Sequence, residues 1–204
     1  LQPTKELFMV SVVMDVVAVA LSLLVSYWFA ICMTAYIAAS RAYSYRGIRL
    51  KQYPVIGYLT VVVFQGSITF FMVYHGAHME KTLQVPPEGM VAAGLLIGGF
   101  YPLTQVYQHE ADRSDGVTTI SALLGYRGTF IFTAIIYTLA MGVLAWMFMS
   151  RGEERKFSLL ATAMLPILVY FFVWAGKVWK DVHNADFHHT MRMNWLAALC
   201  TNTA

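Results

Sequence analysis

QVYQHEADRSDGVTTISALLGYRG, residues 105–128, is a polar island between two apolar runs, residues 90–107 before it and 129–150 after it. Each run approaches the roughly 20 residues with which an α-helix crosses a bilayer. Inside the island Glu110, Asp112 and Asp115 stand close together in sequence, beside Arg113, Gly116 and Thr119. Three carboxylates at the end of a membrane helix call for a cation.

The rest of the chain has the same solvent. Hydrophobic residues make up 58%, charged residues 12%, and the mean hydropathy is +0.58, against about 25% charged residues in a soluble globular domain. The expected fold is therefore all-α, a polytopic transmembrane helical bundle. Beyond the runs at 90–107 and 129–150, apolar segments fall at residues 7–25, 27–43, 55–75, 157–177 and from 191 onward, which makes seven. In lipid each backbone polar group must be satisfied within its own segment, so these are helices. Period-2 alternation is absent, which argues against a barrel. The first two segments almost touch and should form a tight antiparallel pair.

Long polar loops follow the second, fourth and sixth segments, and seven passes put all three on one face. Ten of the fourteen Lys and Arg residues fall on that face, among them Arg41, Arg46, Arg49, Lys51 and Arg113; Lys81, Arg151, Arg155 and Lys156 fall on the other. The positive-inside rule makes the long loops cytoplasmic. The net charge of +3 thus reads as membrane orientation and anion contact, with no motif for nucleic acid. Cys32 and Cys200 lie in apolar stretches and form no CxxC, so they indicate no redox or zinc chemistry. Residues 1–204 read as one membrane domain. Leu1 is not an initiator Met and the chain stops inside an apolar run, so it is expected to be cut at both ends.

Mg²⁺ is usually held by one or two carboxylates plus phosphate oxygens and water. Glu110, Asp112 and Asp115 suit that task. The first long loop, SRAYSYRGIRLKQYP at 40–54, supplies the opposite sign on the same face. Arg49 and Lys51, with Arg41 and Arg46 nearby, suit a diphosphate, arginine as a bidentate fork and lysine as a point charge.

These two stretches resemble the UbiA superfamily of intramembrane prenyltransferases. Its second aspartate-rich motif is roughly D-x-x-x-D-x-x-x-G-x-x-T followed by a Leu-Gly pair; here Asp112, Gly116, Thr119, Leu124 and Gly125 fall on matching positions. The loop YSYRGIRLK, Tyr43 to Lys51, resembles that family's Tyr-containing loop with its Arg/Lys pair. The resemblance implies about seven helices, the third to ninth, of a nine-helix fold in the bacterial inner (plasma) membrane. It implies Mg²⁺-dependent transfer of an isoprenyl group from a prenyl diphosphate to an aromatic acceptor, at the cytoplasmic side of the lipid bilayer. It places Asp112, Glu110 and Asp115 as catalytic and metal-binding residues. Arg49, Lys51, Arg46, Tyr43, Gln108, Arg113 and Thr119 become the substrate-binding set. Allylic cation stabilisation would fall to aromatic faces such as Tyr101, Tyr107, Phe100, Phe64 and Tyr74.

Two departures stand out. The family's first aspartate of this motif falls on Gln108, a poorer Mg²⁺ ligand, which Glu110 or Asp115 would have to offset. The family's other motif, N-x-x-x-D-x-x-x-D, does not occur, so the 204-residue chain on its own is expected to be inactive. A transporter or channel and a catalytically degenerate family member are the alternative classes. Asp15, an intramembrane carboxylate, is expected to reach water or a neighbouring polar group, and Gln65 either the cavity or another helix. In the last loop Asp181 or Asp186 is expected to close over the diphosphate, with a metal site at His183, Asp186, His188 and His189 the less favoured reading. Gly94, Gly98 and Gly99 should allow close helix packing.

Overall fold

The structure is a computed structural model that describes residues 5–203. Among these there is no strand; seven long helices carry the chain. They are α1 (Lys5–Val25), α2 (Tyr27–Ser44), α3 (Pro54–Ala77), α4 (Pro87–Leu103), α5 (Ile120–Met149), α6 (Glu154–Lys180) and α7 (Phe187–Thr203). Five stretches are long and apolar enough to cross a membrane: α1, α3, Pro87–Ser114 (α4 with the short segments that follow it), α5 and α6. The expectation of seven spans is thus met by seven helices, but α2 and α7 are not among those five. Arg41 and several hydroxyls dilute α2, and α7 has 17 residues and opens FHHTMRMN.

Local sequence sets the helix ends. Ser26 alone separates α1 from α2; its backbone is extended and its Oγ accepts from the Phe29 amide at 3.0 Å, an N-cap. Pro54 and Pro87 begin α3 and α4, where a missing N–H is harmless and φ is already helical. The Asp15 carboxylate accepts from Arg41 Nε at 2.9 Å, and Arg41 Nη2 reaches Ser11 Oγ at 2.6 Å. Asp15 is therefore an interhelical partner, and Arg41 faces α1 rather than the basic loop.

Helix packing follows the small residues. A methyl group at Gly66 of α3 would come within 2.6 Å of Gly94 Cα in α4, and one at Gly99 within 2.6 Å of the Tyr137 ring in α5. Ser67 Oγ donates to Met90 O (2.9 Å) and Thr133 Oγ1 to Gly99 O (2.9 Å), fastening α3 and α5 to the backbone of α4. The glycines of α4 thus do what their spacing promised. Because the obstruction at Gly66 is backbone on both sides, Gly66→Ala is expected to destabilise the detergent-solubilised protein by about 1–3 kcal/mol, read as a lower midpoint of thermal unfolding.

A second core joins the end of α4 to α5, α6 and α7: Leu103, Val106, Phe130, Phe171, Trp174 and Val178 are buried together, with the Phe130 and Trp174 rings edge to face at 4.9 Å. Trp174 Nε1 donates to Asn184 O at 2.8 Å, holding the last loop against the bundle.

Candidate functional site

Three loops gather at one end of the bundle: residues 45–53, 104–119 and 181–186. At the other end Ser26 bonds His75, His75 bonds Thr82 O, and Arg151 pairs with Glu88 at 2.5 Å. The grouping of the long loops expected from their alternation is what the structure has.

The second loop makes two changes of direction. α4 closes at Leu103, and after a turn the chain forms a single 3₁₀ turn, Val106–Gln108, then the short helix His109–Ser114. Gly116, at φ 67, reverses it, and the Val117 amide donates to Asp112 O at 2.8 Å. Only glycine takes that backbone without cost. The fifth helix then begins at Ile120, nine residues before its apolar run. Thr119 Oγ1 caps it by accepting from the Ala122 amide at 3.2 Å. A buried polar chain, His109 to Ser121 at 2.8 Å and Ser121 to Thr129 at 3.1 Å, ties the short helix to it. Gly125, at φ 69 and ψ 174, bends α5 where these side chains meet.

This arrangement sorts the candidate residues. Asp112 is half-buried and stands in the field of Lys51, Asp115 and Arg49. Beneath it the Tyr43 and Tyr101 hydroxyls meet, and Gln105 Nε2 donates to Tyr101 Oη at 2.9 Å. Gln108 lies one turn before Asp112, its amide reaching back to Thr104 O at 3.3 Å. Arg46 and Arg113 are exposed beside this face.

The structure does not bring all the candidate residues together. Glu110 does not join Asp112: two positions apart on a helix is about 200° around it, and Glu110 lines a separate cavity with Tyr107, Tyr126, His183, Asp186 and Phe187. Among the described residues no three His, Cys, Asp or Glu side chains gather as a metal site, so neither a three-carboxylate cage nor the His183, Asp186, His188 and His189 cluster forms. Thr119 is buried and spends its hydroxyl on the helix cap, which removes it from the open surface. Asp181 and Asp186 serve their own loop. Asp181 accepts from the His183 amide and ring, which hold its carboxyl below the usual carboxylate range, and Asp186 accepts from the His189 amide at 2.8 Å.

Arg49 and Asp115 pair with each other, linking the first loop to the second. Arg49 holds a left-handed backbone, φ 46 and ψ 57, which costs a residue with a Cβ about 1–2 kcal/mol. The loop keeps arginine where glycine would be easier. Asp115 is 57% exposed, so the pair itself is worth under about 1 kcal/mol. Asp115→Asn should therefore lower the stability of the protein by no more than that, measured by thermal melting in detergent.

Gln105 and His109 are the site residues that pattern reading passed over. Both are buried, yet in sequence they are two more polar residues in a polar island. Only their partners, Tyr101 and Ser121, distinguish them.

Compared with protein families, residues 2–196 match the UbiA prenyltransferase family. The chain belongs to that family. No curated protein and no solved structure matches it. UbiA membership agrees with the order of the two loop stretches and with the apolar helices, and it brings prenyl transfer within a membrane as the family-level activity. Gln108 and Asp112 stand about one turn apart along the short helical segments that follow α4.

Proposed function

We propose that this UbiA protein binds an isoprenyl diphosphate at the end of the bundle that carries Asp112, Lys51 and Arg49, and transfers the isoprenyl group to an aromatic acceptor there. One observation carries the reading: Asp112 and the basic side chains of the first loop, far apart in sequence, converge over the paired hydroxyls of Tyr43 and Tyr101. Acid and base side by side suit a polyanion that arrives with its own cation. The excess of Lys and Arg on the long loops supports placing this end in the cytoplasm.

The donor set fits Mg²⁺ of one kind. Glu110 lines a separate cavity, and a Mg²⁺ carried by phosphate oxygens needs only one or two carboxylates. Asp112 would hold it, with Asp115 released from Arg49 as the second. Bound Mg²⁺ neutralises developing charge on the leaving diphosphate.

The protein's own groups do the rest. Lys51 supplies a point charge to the diphosphate and Arg49 a planar fork. The Tyr43 and Tyr101 hydroxyls meet next to the site, and aromatic rings there suit an allylic cation. As the C–O bond breaks, the diphosphate leaves with the electron pair; the electron-rich ring attacks the cationic carbon and then loses a proton.

The test is binding of farnesyl thiolodiphosphate, which resists cleavage, to the detergent-solubilised protein. Affinity should rise with Mg²⁺, and inorganic pyrophosphate should compete. Binding indifferent to both would overturn the proposal. Gln108 gives a sharper measure. A carboxylate there would stand one turn from Asp112 on the same face, so Gln108→Asp should tighten Mg²⁺-dependent binding of the thiolodiphosphate by about tenfold, close to 1.4 kcal/mol. A Mg²⁺ titration of the two proteins checks this.

A further inference from the structure

We infer that the cavity between the second loop and the last binds a substituted ammonium group, carried either by the head of an amine-bearing lipid or by a small soluble amine. The inference goes beyond the prenyl-transfer reading and does not depend on it.

The short helix His109–Ser114 divides two environments of opposite charge. Asp112 stands in the field of Lys51 and Arg49. Glu110, about 200° around the helix, lines a cavity of about 400 Å³ with Tyr107, Tyr126, His183, Asp186 and Phe187. That lining holds two carboxylates and no lysine or arginine.

Both carboxylates are available to a ligand. Glu110 is exposed, and among the described residues its side chain has no hydrogen bond and no ion pair, even with Arg113 one turn further on. Asp186 accepts from the amide and ring of His189, yet 43% of its side chain stays exposed.

The aromatic walls are fixed before any ligand arrives. Tyr107 sits on the 3₁₀ turn whose Val106 is fully buried. Its ring meets that of Phe187, the first residue of α7, at 5.2 Å and 76°, so the two rings make a corner. Tyr126 comes from α5 and packs at 4.6 Å on the buried His109 ring, which is tied in turn to Ser121. Three elements far apart in the chain thus deliver three rings to one cavity, and walls held in advance lower the entropic cost of binding.

Free carboxylates beside aromatic rings narrow the class of ligand. A ring face attracts a cation through its quadrupole, and a substituted ammonium, with alkyl groups around the charge, also covers apolar ring surface. A phosphate or a carboxylate would meet Glu110 and Asp186 as like charges. A divalent metal needs several oxygen ligands at short range, and among the described residues no three His, Cys, Asp or Glu side chains gather in that way. The volume holds an ammonium together with the first atoms of its carrier.

The test is equilibrium dialysis of labelled choline against the protein in a non-ionic detergent, with 3,3-dimethyl-1-butanol, the uncharged carbon analogue of choline, as competitor. The alcohol should compete at least about fivefold more weakly than unlabelled choline, because it lacks the charge that the rings attract. Glu110→Gln should weaken choline by about three- to fivefold, the range of an exposed ion pair, and Phe187→Leu by about two- to fivefold. Both residues are exposed, so thermal midpoints equal to the parent's should show that the variants are folded. Nanodiscs separate the two sources. Phosphatidylcholine discs block the Glu110-dependent binding of choline if a lipid head fills the cavity, whereas a site for a soluble amine binds choline equally in phosphatidylcholine and phosphatidylglycerol. An alcohol that competes as well as choline, or choline affinity unaltered in Glu110→Gln or in Phe187→Leu, would overturn the inference. So would displacement of choline by Mg²⁺ at equal concentration, because the carboxylates would then form a metal site.

Discussion

Replacing Asp112 by Asn is expected to reduce Mg²⁺-dependent binding of farnesyl thiolodiphosphate by about 100-fold or more, with little change in thermal stability. The reasoning starts from the position of the carboxylate. Glu110 is turned to another cavity and Gln108 is neutral, so Asp112 is the one motif carboxylate beside the basic loop that is not already paired with Arg49. Removing its charge takes away the principal protein ligand proposed for the metal and leaves only Asp115, which is paired with Arg49, a loss of several kcal/mol in charge stabilisation, and each 1.4 kcal/mol is tenfold. Stability is spared because Asp112 is half-exposed and the short helix His109–Ser114 is tied down by His109 and Ser121 instead. Binding titrations at fixed Mg²⁺, set beside thermal melts of the same preparations, check both halves. A variant that binds as well as its parent would move the metal site elsewhere.

Trp174→Ala is expected to be the most destabilising single change, by about 3–5 kcal/mol. Trp174 has no solvent exposure and packs its ring against Phe130, Tyr170 and His189, which come from three helices. Its indole N–H is also the hydrogen bond that holds Asn184 and with it the last loop. Trp174→Phe separates the two contributions: it keeps much of the packing and loses the hydrogen bond, for about 1 kcal/mol plus the cost of stranding Asn184 O. Urea or thermal unfolding in detergent gives the stability. Limited proteolysis near residues 181–186 reads the loop, which should be cut faster in Trp174→Phe than in the parent.

Much of the fold is legible in the order of the residues. Hydropathy alone calls for helices, the alternation of long and short loops calls for one polar end, and Gly94, Gly98 and Gly99 call for close packing. Lipid permits few other answers, and glycine in a membrane helix has few other uses. The start of α5 is not legible, because SALLGYRG looks like loop until Ser121 and Thr129 are seen to satisfy one another inside the bundle. Asp15 is legible as an oddity only, since its partner Arg41 lies 26 residues away on another helix.

The candidate site divides in the same manner. The sequence by itself determined that Asp112 and the Arg49/Lys51 loop belong to one end of a membrane bundle, because hydrophobic segments of fixed length leave polar loops only two places to be. It could not determine which carboxylates act together. Glu110, Asp112 and Asp115 are neighbours in the chain, but a short helix throws Glu110 to one side and the turn at Gly116 brings Asp115 to Arg49. The π-helical segment Val62–Ile68 in α3 was likewise decided only by tertiary structure, since its anchorage of Gly66 on Gly94 depends on how two helices meet and leaves no period in the sequence of either.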